Sequence, residues 1–232
     1  MRFLVLTCEH GGNQVPPRWK SYFKKAGAAL ASHRGYDKGA LELAQFVSQH
    51  LSVPLIFSTT TRLLVELNRS LHHPHLFSSW TKNLSSEEKE EILQKYYYPY
   101  RLQVEEKLLE QMKQGPILHL SVHSFTPVLE GVEREGEIGL LYDPKRQKEK
   151  NFARQWKQAL QGNVAAGMRV RMNYPYLGKA DGLTSFLRKK WDENLYWGIE
   201  LEVNQGLKES EKRWESLKKG ILFSLRQILE LN

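Results

Sequence analysis

The sequence predicts an α/β fold on one mostly parallel or mixed sheet, and three observations carry that reading. Short β-rich runs alternate with amphipathic helical stretches from end to end. Several of the runs are apolar on both faces, as strands in a covered sheet are. No linker or internal repeat divides the 232 residues, so a single domain over 1–232 is expected.

Taken in order, the first strand is Phe3 to Cys8, followed by Glu9, His10 and a Gly11-Gly12 pair that permits a tight turn. Lys38 to His50 places Leu41, Ala44, Val47 and Leu51 at helical spacing. Strands are expected at Pro54 to Ser58 and Leu63 to Leu67. Ser85-Ser86-Glu87-Glu88 is a capping-box start to a long helix. That helix should be interrupted at Pro99, which lacks an amide proton and clashes with the preceding turn. Further strands are read at Ile117 to Val122, Ile138 to Tyr142, Met168 to Met172 and Tyr196 to Val203. Gly115 and Gly162 stand where helix C-caps are expected. A last amphipathic helix runs from about Lys208 to Leu231 and covers one face of the sheet.

The hydrophobic fraction of 41% and aromatic fraction of 11% are ordinary globular values that exclude a disordered or fibrous chain. One cysteine, Cys8, excludes an intramolecular disulfide and favours a reducing compartment. The apolar run before Thr7 is too short and its continuation too polar for a signal sequence, so a cytoplasmic location is expected. No apolar run reaches the length of a membrane span. A net charge of +8 admits nucleic acid, an anionic membrane face or a small acidic substrate as partner. The densest basic stretch, Lys145-Arg146-Gln147-Lys148-Glu149-Lys150 with Arg154 and Lys157, lies on a predicted helix whose apolar side is Phe152, Trp156 and Leu160. It reads as a solvated helix face, since no nucleic-acid motif or aromatic platform accompanies it.

Three predicted strands end in residues able to bind a metal: Cys8-Glu9-His10, Ser121-Val122-His123 and Glu200-Leu201-Glu202. In open α/β sheets ligands bind beyond the carboxyl ends of strands, so these residues can converge although far apart in sequence. His10 alone reads equally as a turn histidine; a second histidine ending another apolar strand raises the metal reading. His119, Ser121 and His123 share one strand face. His123, at the strand end, is the candidate ligand, and the deeper His119 is read as a satisfied core histidine.

Two imidazoles want a third protein ligand, and a carboxylate leaves the ion electrophilic. Asp37 is the candidate, with helix N-cap as its competing role. Glu9 is the rival, although on a regular strand its side chain points away from that of His10. Glu200 and Glu202 share a face of their strand, where buried carboxylates are costly without a partner; Glu202, nearer the strand end, is the candidate general base. Arg62 and Arg69 flank Leu63 to Leu67 with forks suited to a carboxylate or an oxyanion, or else to salt bridges with Glu66 or Asp37. His72, His73 and His75 match no usual ligand spacing and are left as surface loop, and Cys8 is read as a small core residue.

Together, Cys8-Glu9-His10-Gly11-Gly12-Asn13, Gly35-Tyr36-Asp37-Lys38-Gly39-Ala40, Thr61 to Arg69, Tyr98-Pro99-Tyr100-Arg101, His123-Ser124-Phe125-Thr126-Pro127 and Glu200-Leu201-Glu202-Val203-Asn204-Gln205 resemble the N-formylglutamate amidohydrolase family in order along nearly the whole chain. The resemblance implies a three-layer α/β/α sandwich, phosphorylase/hydrolase-like and distantly similar to zinc carboxypeptidases, with one zinc ion and its bound water. It implies His10, Asp37 and His123 as metal ligands and Glu202 as base, and it ranks Asp37 above Glu9 because the deformylase branch has a non-acidic residue before the histidine. That branch also has a doubled aspartate ending in tryptophan at Tyr36-Asp37-Lys38, and serine and aspartate at Thr61 and Glu66. The chain therefore resembles the less characterised branch.

The expected function is hydrolysis of a small, acidic N-acyl amino acid such as N-formylglutamate. Arg62 would stabilise the oxyanion and Arg69 hold a substrate carboxylate, or the reverse, with Asn68 and Asn173 as hydrogen-bonding partners. The alternatives are a peptide or cell-wall amide hydrolase with the same site, and a non-catalytic basic nucleic-acid-binding protein.

Overall fold

In the computed structural model, which describes residues 3–230, period-two alternation along three long strands sets the architecture. The strands are β1 (Phe3–Cys8), β2 (Leu55–Phe57), β3 (Ile117–Phe125), β4 (Val128–Leu129), β5 (Val132–Glu133), β6 (Ile138–Leu141), β7 (Val170–Met172) and β8 (Tyr196–Asn204). Six form one sheet in the order β2-β1-β3-β8-β6-β7, and β4 with β5 makes a separate hairpin. β2, β1, β3 and β8 are parallel; β6 runs antiparallel to β8, and β7 parallel to β6. The helices are α1 (Gly27–Leu30), α2 (Ala40–Leu51), α3 (Ser86–Ile92), α4 (Tyr98–Met112), α5 (Gln147–Asn163), α6 (Leu183–Lys190) and α7 (Glu211–Leu229). They cover both faces of the mixed sheet, giving a three-layer α/β/α sandwich. Among the described residues no helix is long and apolar enough to cross a membrane.

The two faces of the sheet differ in kind. Leu6, Cys8, Leu120, Val122, Ile199, Leu201 and Leu140 point to one face and join a continuous apolar core with side chains of α2, α5 and α7. Removing that area from water supplies the main driving force for closing this layer. The opposite face changes along the strands. At the start it is apolar, with Phe3, Ile117 and Tyr196 in register. Two residues on it is Val5, His119 and Gly198; then Thr7, Ser121 and Glu200; then His123, Glu202 and Gly139. Chemistry therefore accumulates at the carboxyl ends of β1, β3 and β8, where open α/β sheets bind ligands.

Leu63 to Leu67 is not a strand. Its side chains are buried, but its backbone runs through turns: the Leu64 N–H donates to Thr61 O at 3.0 Å, the Glu66 N–H to Leu76 O at 2.9 Å, and Thr81 Oγ1 to the carbonyl of Leu64 at 3.1 Å. Satisfaction by turns and a threonine hydroxyl replaces a ladder. The long helix does not break at Pro99 either. A π-helical turn over Leu93–Tyr97, in which the Tyr98 N–H reaches Leu93 O, separates α3 from α4 and absorbs the proline. The capping box at Ser85 and Glu88 is present. α5 runs through Gly162 to Asn163, and α4 stops at Met112, ahead of Gly115. The basic stretch lies at the start of α5 with Phe152, Trp156 and Leu160 buried beneath it.

Gly139 shows how tightly β6 approaches the polar edge. A Cβ there would lie 1.8 Å from Tyr174 O and 3.2 Å from the Glu202 Cβ. Gly139→Ala should destabilise the fold by about 3 kcal/mol, read from the shift in denaturant midpoint at unchanged slope; a change within measurement error would contradict this packing.

Candidate metal centre

His10 sits just beyond β1 in a turn that only small residues fit: a Cβ on Gly11 would meet Ser58 O at 2.9 Å, and one on Gly12 would meet Thr59 O at 2.6 Å. Asp37 is tied to the same turn, its N–H donating to His10 O at 2.9 Å. It is not the N-cap of α2, whose cap is Gly39 at φ 86° with no side-chain cap bond, so the carboxylate is left for other work. His123 and Glu202 face each other across β3 and β8. The four line a cavity of about 190 Å³ with Arg62, Arg69 and Asn68.

The imidazoles of His10 and His123 lie with ring centroids 5.0 Å apart. Both turn Nδ1 to one oxygen, Asp37 Oδ2, at 3.3 Å and 2.9 Å. One donor atom from each of the three residues lies within 4.8 Å of the others, and all three residues are buried. The far nitrogens meet other carboxylates. His10 Nε2 contacts Glu66 Oε1, and His123 Nε2 lies 3.1 Å from Glu9 Oε2 and 2.8 Å from Ser121 Oγ.

Burial alone would favour neutral acids here, yet the cations and donors around Glu9, Asp37 and Glu66 hold all three well below the usual carboxylate range. His123 is pushed well above the usual histidine range: burial opposes its charge, but hydrogen bonds to Asp37 and Glu9 outweigh it. Glu202 behaves oppositely. Burial pushes its carboxyl up to about 8, and its Oε2 has no hydrogen-bond partner among the described residues. Glu200, beside it on the same face, accepts from Thr184 Oγ1.

Arg62 donates from Nε to Glu66 Oε2 at 2.7 Å and from Nη1 to Asp37 Oδ1 at 3.2 Å, so both salt bridges considered from the sequence form. Arg69 lines the cavity with Nη1 on Asp181 O at 2.7 Å, and Asn68 Oδ1 accepts from the Leu183 N–H at 2.7 Å. Asn173 stands elsewhere. It is not among the cavity-lining residues, and its Oδ1 accepts from the N–H groups of Tyr142 and Gly178 at 3.0 and 3.1 Å, bracing the loop that carries Tyr176. Glu9 does not face the shared point of the triad, so its rival role as ligand is not supported. His119 is the core histidine expected, between Thr7 Oγ1 at 2.8 Å and Tyr196 Oη at 2.7 Å, with burial lowering it to about 4. Cys8 is fully buried, and burial raises its thiol well above the usual range. Sequence reasoning missed Tyr176 and Asp181, which lie in a loop without periodicity and join the cavity wall only in three dimensions.

The family model described as N-formylglutamate amidohydrolase matches residues 3–207. Among solved structures, a gene product of Agrobacterium tumefaciens superposes with a TM-score of 0.82 at 24% identity, over 98% of this chain and 90% of that one. An N-formylglutamate amidohydrolase from Ralstonia eutropha superposes at 0.70 with 17% identity, over 100% and 95%. No curated protein matches the chain. The family match and the histidine–aspartate cluster together support a metal-assisted amide hydrolase.

The Glu202 carboxyl makes the metal-free protein pH-sensitive in a defined direction. The folded state binds its proton more tightly than the unfolded chain, so this contribution to stability is whole below the ordinary value of 4.5 and is lost as pH rises toward 8. With chelator present, Glu202→Gln should gain on the wild type by up to roughly 1.4 kcal/mol per pH unit across that window. Denaturation curves that keep the two proteins parallel from pH 4.5 to pH 8 would show that burial does not raise this carboxyl.

Proposed function

We propose that this chain, which belongs to the N-formylglutamate amidohydrolase family, hydrolyses the amide bond of small N-acyl amino acids bearing a carboxylate, N-formylglutamate being the type substrate. The observation that carries the reading is the convergence of His10, Asp37 and His123 in a cavity whose wall also holds Glu202, Arg62 and Arg69. The donor set fits a divalent ion: two imidazoles and one carboxylate are the ligand types of catalytic zinc sites with an open position, and the Glu202 Oε2 beside them is a buried oxygen without a hydrogen-bond partner among the described residues.

His10, Asp37 and His123 would hold the ion, for which zinc is the best match of ligand softness. When bound, it supplies Lewis acidity that polarises an amide carbonyl and acidifies water. The chain's own residues do the rest. Glu202 takes a proton from the attacking water at its free oxygen and returns it to the departing nitrogen. Arg62, anchored by Glu66 and Asp37, keeps further N–H groups for the oxygen that becomes negative. Arg69 and Asn68, fixed by their bonds to Asp181 and Leu183, are placed to hold the substrate carboxylate. The cavity, about 190 Å³, falls below the usual range for drug-sized ligands, which favours a compact acyl amino acid over a peptide.

Purified protein loaded with zinc should turn over N-formyl or N-acetyl acidic amino acids, lose that activity to a chelator and regain it with added zinc. Glu202→Gln should keep the metal while kcat falls by about 10²- to 10⁴-fold. No turnover of any member of an N-acyl amino acid panel by the fully loaded protein would sink the proposal.

A further inference from the structure

The carboxylates behind the two histidines, Glu9 and Glu66, are both buried. Glu9 is 0% exposed, and Glu66 lies on the far side of His10 from the cavity's other ligand candidates. A buried carboxylate is costly unless it accepts several hydrogen bonds, and an inventory of the protons around Glu9 shows what those bonds determine. Tyr100 Oη donates its only proton to Glu9 Oε1 at 2.8 Å. Ser121 Oγ donates its only proton to Glu9 Oε2 at 2.6 Å. His123 Nε2 lies within reach of both Ser121 Oγ and Glu9 Oε2. A hydroxyl that has given its proton away and an ionised carboxylate can only accept, so His123 Nε2 carries a hydrogen.

The same inventory holds at His10. Glu66 Oε2 is occupied by the Arg62 guanidinium, and Glu66 Oε1 accepts from the Asn68 N–H at 3.1 Å while facing His10 Nε2. That nitrogen too must donate. An imidazole that ligates a cation must be neutral, and in a neutral imidazole the proton on one nitrogen leaves the lone pair on the other. Both lone pairs therefore sit on Nδ1, and both Nδ1 atoms point at Asp37 Oδ2.

We infer that Glu9 and Glu66 are positioning residues for the metal: each fixes the tautomer and ring orientation of one histidine ligand through Nε2, and Tyr100 and Arg62 in turn fix the two carboxylates. This rests on the triad reading above. It gives a role to Tyr100, which comes from α4, packed on the same face of the sheet as the site, and does not line the cavity. Partners of this kind tune affinity by about 10- to 100-fold when lost.

The test is the zinc dissociation constant, measured by chelator competition on the full chain for the wild type, Glu9→Gln, Glu66→Gln and Tyr100→Phe, with metal-free circular dichroism to compare the folds. Glu9→Gln and Glu66→Gln should each weaken zinc by about 10- to 100-fold, and Tyr100→Phe by less. In parallel, ¹⁵N spectra of the zinc-loaded wild type should show His10 and His123 protonated at Nε2. Tyr100→Phe, which removes one hydroxyl and keeps the ring, covers the case in which a glutamine variant fails to fold. Wild-type affinity in the folded variants would overturn the inference and leave the triad standing, whereas Nδ1-protonated histidines in the loaded protein would overturn ligation through Nδ1 as well. A wild type that binds no zinc at all would overturn both.

Discussion

The structure around the carboxyl ends of β1, β3 and β8 depends on one constraint: three buried carboxylates must be held ionised around two imidazoles and one guanidinium. Glu9, Asp37 and Glu66 are held ionised around two imidazoles, and the single guanidinium among them is that of Arg62. Arg62 and the charged His123 are set among these three carboxylates, and Glu202 adds a fourth acid that stays neutral by keeping its proton. Isolated buried charges of this kind cost several kcal/mol each unless paired. On the function proposed above, a dication shared by His10, Asp37 and His123 would add positive charge beside Glu202 and favour the ionised form that a proton acceptor requires.

The rest of the fold serves to hold that charge in place. One face of the sheet is given wholly to apolar packing under α2, α5 and α7, which supplies stability without touching the chemistry. The other face grades from Phe3, Ile117 and Tyr196 through the His119 layer to the acidic rim. The His119 layer, with Thr7 and Tyr196 satisfying both ring nitrogens, separates the dry core from the site. Helix α4 contributes Tyr100 from the flank, and the π turn ahead of Pro99 lets that helix continue unbroken to reach it.

Much of this was legible in the sequence where a period or a strand end marks it. Alternation identified β1, β3 and β8, and their polar ends pointed to His10, His123 and Glu202; local reasoning left Asp37 balanced between ligand and helix cap until Gly39 took the cap. Where the chain is irregular the reading failed. Leu63 to Leu67 has the composition of a strand, but burial among turns satisfies its backbone equally well, and composition does not distinguish the two. Asn173 was expected as a hydrogen-bonding partner for the substrate, whereas its left-handed φ of 49° places it in a turn it braces itself. Glu66 was visible as a salt-bridge partner for the flanking arginines and as a departure from the deformylase pattern, not as a partner of His10. Its contact with His10 joins residues that are 56 apart in sequence, across a loop with no pattern to announce it.

The central claim is that two histidines and one aspartate share a divalent ion through specific atoms. An anomalous difference map at the zinc edge, from crystals grown with zinc, tests it directly. The account predicts a single strong peak at about 2.0–2.2 Å from His10 Nδ1, His123 Nδ1 and an Asp37 oxygen. A peak on the Nε2 side of either ring, between a histidine and Glu9 or Glu66, or no peak within reach of all three residues, would contradict it.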